Sequence, residues 1–191
     1  GHSMIWNDHP RPDTMPFWGM IEDVRKQVGD EKAKWMARSR NITIFPNLQF
    51  NDSTSLVLRT FIPHAPNLTE MKVYSFAPID EPDDLRTIRV RQHEDFFNSS
   101  GMATPDDTIC YSDCQEGYNA FPDDYLQSFE RGMGNLIFGP DEEAQKLGFV
   151  PETSLLGTFL DQGETSYHGP YREWARLMRA GHNKEQPLAG E

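Results

Sequence analysis

The chain has 191 residues, with 18 Lys and Arg against 30 Asp and Glu, and a formal net charge of −12 with the histidines neutral. Its 37% hydrophobic and 12% aromatic content excludes wholesale disorder and predicts one folded domain or a large piece of one. An acidic chain without a basic stripe excludes a protein that grips nucleic-acid phosphates. No window approaches the roughly 18 consecutive apolar residues of a bilayer-spanning helix, and Gly1 to Pro16 lacks a signal-peptide layout, so no membrane role and a cytoplasmic location are expected.

The first sixteen residues, GHSMIWNDHPRPDTMP, follow neither helical nor strand period and read as an irregular entry. Between Trp18 and Arg38, Met20, Ile21, Val24, Val28, Trp35 and Met36 recur at helical spacing, and Gly29 divides the segment into two helices. The period then changes. The runs NITIFPNLQF, STSLVLRTFIP and TEMKVYSFAP are β-branched and aromatic, which predicts three consecutive antiparallel strands. Pro82, Asp83 and Asp84 open a helix over LRTIRVRQHEDFF, and Pro105-Asp106-Asp107-Thr108 opens another. Tyr118 to Pro151 is loop-rich with helical fragments. Leu155 to Leu160 reads as a last strand, and Tyr171 to Ala180 as a closing amphipathic helix with Tyr171, Trp174, Leu177 and Met178 on one side. Grouped strands with helices at the ends predict an α+β fold, an antiparallel sheet with a long helix across it.

Single residue types leave several alternatives open. A carboxylate in the first turn of a helix is a rigid oxygen ligand, yet Asp106 or Asp107 serves equally as a cap for a helix beginning near Thr108. Cys110 and Cys114, spaced i and i+4, read as free thiols that pack inward as small apolar side chains. Two thiolates are too few for an iron–sulfur cluster or a four-thiolate zinc. His64 and His93 read as solvated residues.

RNITIFPNLQF, the loop EDFFNSSGMATPDD, the following CQEGYNA and the closing ETSYHGPYREWARLM stand in the order and spacing of one family. Together they resemble the catalytic half of the large (α) subunit of Rieske non-haem iron aromatic-ring-hydroxylating dioxygenases, nearest to the benzoate and anthranilate branch. The resemblance implies a helix-grip fold of the Bet v 1/START kind. It implies an oxidoreductase that inserts dioxygen into an aromatic ring, of an aromatic carboxylate in this branch, at a mononuclear Fe(II). Electrons would pass from NADH through a reductase and a ferredoxin to a Rieske [2Fe-2S] cluster and then to the iron. The implied assembly is an α-subunit trimer, α3 or α3β3 with β subunits.

The second acid after the glycine loop ligates iron in that family, and the matching position is Asp107. Two neutral histidines and one carboxylate on one face leave positions open for dioxygen beside the substrate. The family's His-x4-His pair and its Rieske ligands are not in this sequence. His2 and His9, with six residues between them in a proline-rich segment, are poor substitutes, and His168 lies in a family motif without a ligand role. The expected organisation is therefore residues 1–191 as a C-terminal part of the catalytic domain, incomplete without the upstream segment. Asn41 matches a strand position whose side chain faces the substrate pocket, with Ser39 and Thr43 on the same face by alternation. Asn51 matches another pocket position, although Asp52 beside it also fits a turn. Phe97 matches an aromatic lining the pocket, with plain core packing as the alternative. Ala103 stands where naphthalene-type relatives carry a bulky aromatic. Alternation points Arg40 away from the pocket face. A second reading, of a different class, is a non-catalytic helix-grip module that binds a small ligand or acts as scaffold without iron.

Overall fold

Strand-forming and helix-forming segments separate along the sequence, and the structure, a computed structural model, keeps them separate in space. It describes residues 1–120, 129–157 and 163–185, the side chains of 182–185 excepted. Five strands form one sheet: β1 (His2–Asn7), β2 (Ser39–Ile44), β3 (Leu48–Asp52), β4 (Leu56–Ala65) and β5 (Leu68–Ser75). They lie in sequence order, each antiparallel to the next. A second, two-stranded sheet joins β6 (Leu136–Phe138) to β7 (Thr153–Leu155). The described helices are α1 (Ile21–Val28), α2 (Asp30–Met36), α3 (Asp83–Phe96), α4 (Thr104–Ala120), α5 (Glu142–Leu147) and α6 (His168–Glu185). None of them is long and apolar enough to cross a membrane.

Three strand assignments differ from the sequence reading. The run NITIFPNLQF is not one strand but the hairpin β2–β3, turned at Pro46 and Asn47, with Asn41 opposite Asn51 and Thr43 opposite Gln49. A proline followed by asparagine inside a ten-residue run is itself a turn signal. The supposedly irregular entry holds β1, whose register runs from His2 opposite Ile44 to Asn7 opposite Ser39. Its backbone finds hydrogen bonds only by reaching residues more than thirty positions away, which local periodicity does not report. The expected strand from Leu155 to Leu160 shares only Leu155 with β7; Leu156 and Gly157 are not in a strand, and residues 158–160 lie outside the described residues.

The α+β class holds, and the helix-grip expectation does not. The sheet is flat rather than curved around a long helix. One register shift, between Pro63 and Ala65 near the far end of β4, is too little to bend the sheet around a helix. Helix α3 divides its packing between the short turn Pro16–Met20 and β4 instead of lying lengthwise across the strands.

The two faces of the sheet carry different chemistry. On one, Arg40 pairs with Asp52, and its guanidinium carbon lies 4.6 Å from the centre of the Trp35 ring of α2. Trp6, Trp35 and Phe149 cluster beside them. The other face carries Asn41, Gln49, Val57 and Arg59 and meets the region between α3 and α4. Apolar burial is modest for so aromatic a chain. Ile21, Ala33 and Ala37 form a small helical core with Phe17 and Val24, and Val57 is the largest fully buried apolar side chain. Tyr171, Trp174, Leu177 and Met178 do share a face of α6, but each remains exposed. Gly29, at φ +84°, ends α1 and starts α2 in a conformation that favours glycine.

The lead-in to α3 is fixed by a buried ion pair. Arg89 donates from Nε to Glu81 Oε1 at 2.9 Å and from Nη2 to the same oxygen at 2.5 Å, with side chains 5% and 0% exposed. Removing one member strands the other charge in the interior. Glu81→Ala is expected to destabilise the protein by about 3–5 kcal/mol, read as a lowered urea midpoint, and a loss below about 1 kcal/mol contradicts this account.

Candidate functional site

The site is built from one loop, one helix start and three strands. After α3, the loop 97–103 folds back on the helix it has just left. Gly101 N–H donates to Asn98 O at 2.8 Å, Met102 N–H to Asp95 O at 2.9 Å and Ala103 N–H to Phe96 O at 3.0 Å. Thr104 Oγ1 donates to Phe97 O at 2.8 Å. A Cβ on Gly101 would stand 2.6 Å from Phe96 O, so only glycine permits this close return. Helix α4 therefore begins at Thr104, and the Asp107 N–H already bonds Ala103 O at 3.0 Å. Asp107 lies inside the first turn rather than capping it, with its side chain 41% exposed.

The Asp107 carboxylate meets a cation from the sheet. Arg59 of β4, with a side chain only 5% exposed, places Nη1 3.5 Å from Asp107 Oδ2. The same nitrogen donates to Gln49 Oε1 at 3.3 Å, and Gln49 Nε2 donates to Asn41 Oδ1 at 3.0 Å. The Arg59 guanidinium carbon stands 5.1 Å from the centre of the buried Phe97 ring. One string of polar contacts thus crosses β2, β3 and β4 and ends on α4.

Three of the residues singled out in the sequence, Asn41, Phe97 and Asp107, are gathered around Arg59. Asn51 shares the face of Asn41 in the neighbouring strand, and its Oδ1 accepts from Ser53 Oγ at 2.8 Å. It is a strand residue, not a turn residue. Ala103 sits half-buried in the loop and acts through its backbone. Arg40 points to the opposite face, as alternation requires. Arg59 and Gln49 were missed, although a signal existed: in LVLRTFI the alternation puts Arg59 between Val57 and Phe61 on the buried side.

Other expectations change. His93 is half-buried rather than solvated, with its ring 6.5 Å from that of Phe97 and a buried Nδ1 that has no partner among the described residues. Burial holds its pKa below the usual 6.5, and the Arg59 charge adds to this against the opposing pull of Glu94. Partial burial and the Asp107 charge push the Tyr111 phenol up. Cys110 and Cys114 are exposed, not packed inward. His64 pairs at the surface with Glu70 at 3.0 Å, His9 Nδ1 accepts from Arg11 N–H, and His168 Nε2 is 2.5 Å from Phe129 O. Among the described residues no three His, Cys, Asp or Glu stand together as a metal site. A cavity of about 830 Å³ lies elsewhere, walled by Trp6, Arg38, Glu143 and Phe149, and none of the site residues lines it.

A sequence profile described as "Ring hydroxylating alpha subunit (catalytic domain)" matches residues 1–180. The chain belongs to this family. The ring-hydroxylase chain is 36% identical over 182 residues to the 2-halobenzoate 1,2-dioxygenase large subunit of Burkholderia cepacia, covering 95% of this chain and 38% of that one. It is 33% identical to the anthranilate 1,2-dioxygenase large subunit of Acinetobacter baylyi, covering 97% and 39%. Among solved structures it resembles naphthalene 1,2-dioxygenase with indole bound in the active site, at a TM-score of 0.63 and 26% identity, covering 83% of this chain and 33% of that one. The chain spans about two fifths of the length of the curated relatives. It is thus related to the benzoate and anthranilate branch, as its motifs indicated.

Two predictions follow from this geometry. Unfolded His93 takes up a proton near pH 6.5 that the folded protein resists, so stability attributable to it is present above that pH and is lost as the pH falls. Between pH 7 and pH 5, His93→Gln is expected to lose less stability than the parent protein in urea titrations. Gly101→Ala is expected to cost about 1–3 kcal/mol through the clash with Phe96 O, measured in the same way.

Proposed function

We propose that residues 1–191 are the C-terminal part of the catalytic domain of an aromatic-ring-hydroxylating dioxygenase large subunit, an oxidoreductase that inserts dioxygen into the ring of an aromatic carboxylate. The observation that carries this reading is the string Asn41–Gln49–Arg59–Asp107, with Phe97 over Arg59, in a chain of this family. Relatives are named for 2-halobenzoate, toluate and anthranilate, each a benzene ring bearing a carboxylate. The large apolar side chains left exposed on α4 and α6, Ile109, Tyr111, Trp174 and Met178 among them, support a chain completed by further polypeptide.

In this reading Asp107 is the one carboxylate ligand of a mononuclear Fe(II), which supplies the dioxygen chemistry when bound. The described residues do not by themselves fit a complete iron site, because no three His, Cys, Asp or Glu among them, Asp107 included, gather as a metal site. The two histidines would come from another part of the subunit. The roles left to this chain are positioning. Gly101 and Thr104 fix the first turn of α4, Arg59 holds the Asp107 carboxylate on one side, and the buried Phe97 ring forms an apolar wall behind Arg59 at the proposed pocket. Asn41 and Asn51 supply polar contacts along the pocket face, and the small Ala103 leaves room for the substrate. The same reading places the Rieske [2Fe-2S] cluster in the complete subunit, with NADH, a reductase and a ferredoxin as electron source. The assembly would be an α3 or α3β3 oligomer.

Iron per chain after anaerobic incubation with Fe(II) tests the assignment. The complete subunit is expected to hold about one iron, and Asp107→Ala to weaken binding by more than about 100-fold. The 191-residue chain alone is expected to hold none specifically. Undiminished iron in the Asp107→Ala subunit, or stoichiometric iron in the 191-residue chain, overturns it.

A further inference from the structure

A guanidinium carries five N–H donors on three nitrogens. In Arg59 only Nη1 is engaged, by Gln49 and, at 3.5 Å, by Asp107. Nε and Nη2 are both buried and have no hydrogen-bonding partner among the described residues. Leaving two such donors unmet on a buried cation is costly, and Asp107, half-exposed and at the limit of contact, offsets the charge only in part.

Nε and Nη2 together form the side-on edge of the guanidinium, two parallel N–H groups whose spacing matches the two oxygens of a carboxylate. Elsewhere in this chain the same edge is filled that way. Arg11 places Nε and Nη2 on the two oxygens of Asp13, Arg176 does so on Glu173, and Arg89 directs both nitrogens to Glu81. Arg59 is the arginine beside Phe97 and Asp107 whose edge is buried and unfilled.

We propose that Arg59 is the specificity-determining residue that reads the substrate carboxylate, receiving it bidentately on the Nε/Nη2 edge. This deepens the proposed function and rests on it for the ring chemistry, but not for the binding. The guanidinium is held in place from behind by Gln49 and Asn41, so its fork is fixed before the ligand arrives. A bound carboxylate supplies the missing counter-charge and two acceptors at once.

The test is equilibrium dialysis of the complete oxygenase, under anaerobic conditions, with benzoate and with the neutral amide benzamide. Each variant's benzoate-to-benzamide affinity ratio is the readout, because loss of folding or of pocket shape lowers both affinities together. Arg59→Met is expected to lower the ratio by at least about 30-fold. Arg59→Lys, which keeps the charge but not the planar fork, is expected to lower it by about tenfold and carries the test if Arg59→Met does not fold. A ratio unchanged in either variant overturns the proposal. The two readings fail separately. Benzoate binding that depends on Arg59 in a protein that takes up no iron keeps this assignment and overturns the oxygenase reading. An iron-loaded protein that oxidises aromatic rings while its affinity ratio ignores Arg59 does the reverse.

Discussion

Placing the Arg59 guanidinium beneath the surface of a sheet forces its surroundings to answer for a positive charge. The chain answers with Gln49 on the neighbouring strand, the face of Phe97 and the Asp107 carboxylate on α4. Each of these comes from a different element, so the charge ties together the register of β2, β3 and β4, the path of the loop 97–103 and the position of the first turn of α4. A one-residue slip in β4 would carry Arg59 to the opposite face and leave Asp107 without its cation.

The opposite face repeats the principle with separate residues. There Arg40 pairs with Asp52 and stacks on Trp35, and Arg38 joins Asp8 and Glu143 beside Trp6. Charged groups thus do much of the tying between the sheet and its helices, in a chain whose fully buried apolar side chains are few. The flat sheet follows from the same economy of contacts. With α3 anchored through Glu81 and Arg89 and turned toward the Pro16–Met20 segment, none of the described helices lies lengthwise across the strands.

Family membership and local geometry bear on different questions. The family match extends over residues 1–180, yet the chain covers about two fifths of its relatives, and a metal site needs ligands that converge in space. Asp107 is held ready by the loop behind it, as a single carboxylate facing a cation. Loop closure by Gly101 and the buried cation are properties of this segment in its own right.

By itself the sequence determined the α+β class, helices α1 to α4, strands β4 and β5, and the motifs that place Asn41, Phe97 and Asp107 in a family pattern. Those features depend on neighbours three or four residues apart, or on motifs of a dozen residues, and are legible for that reason. Alternation also assigned Arg40 and Asn41 to opposite faces. Tertiary structure alone decided that β1 exists, that one apolar run is a hairpin, that His93 is half-buried and the cysteines are not, and that the sheet is flat. It alone decided that Arg59 joins Asn41 to Asp107. The physical reason is that hydrogen-bond partners across a sheet, and the charge that satisfies a buried cation, lie tens of residues away along the chain, where no local pattern encodes them.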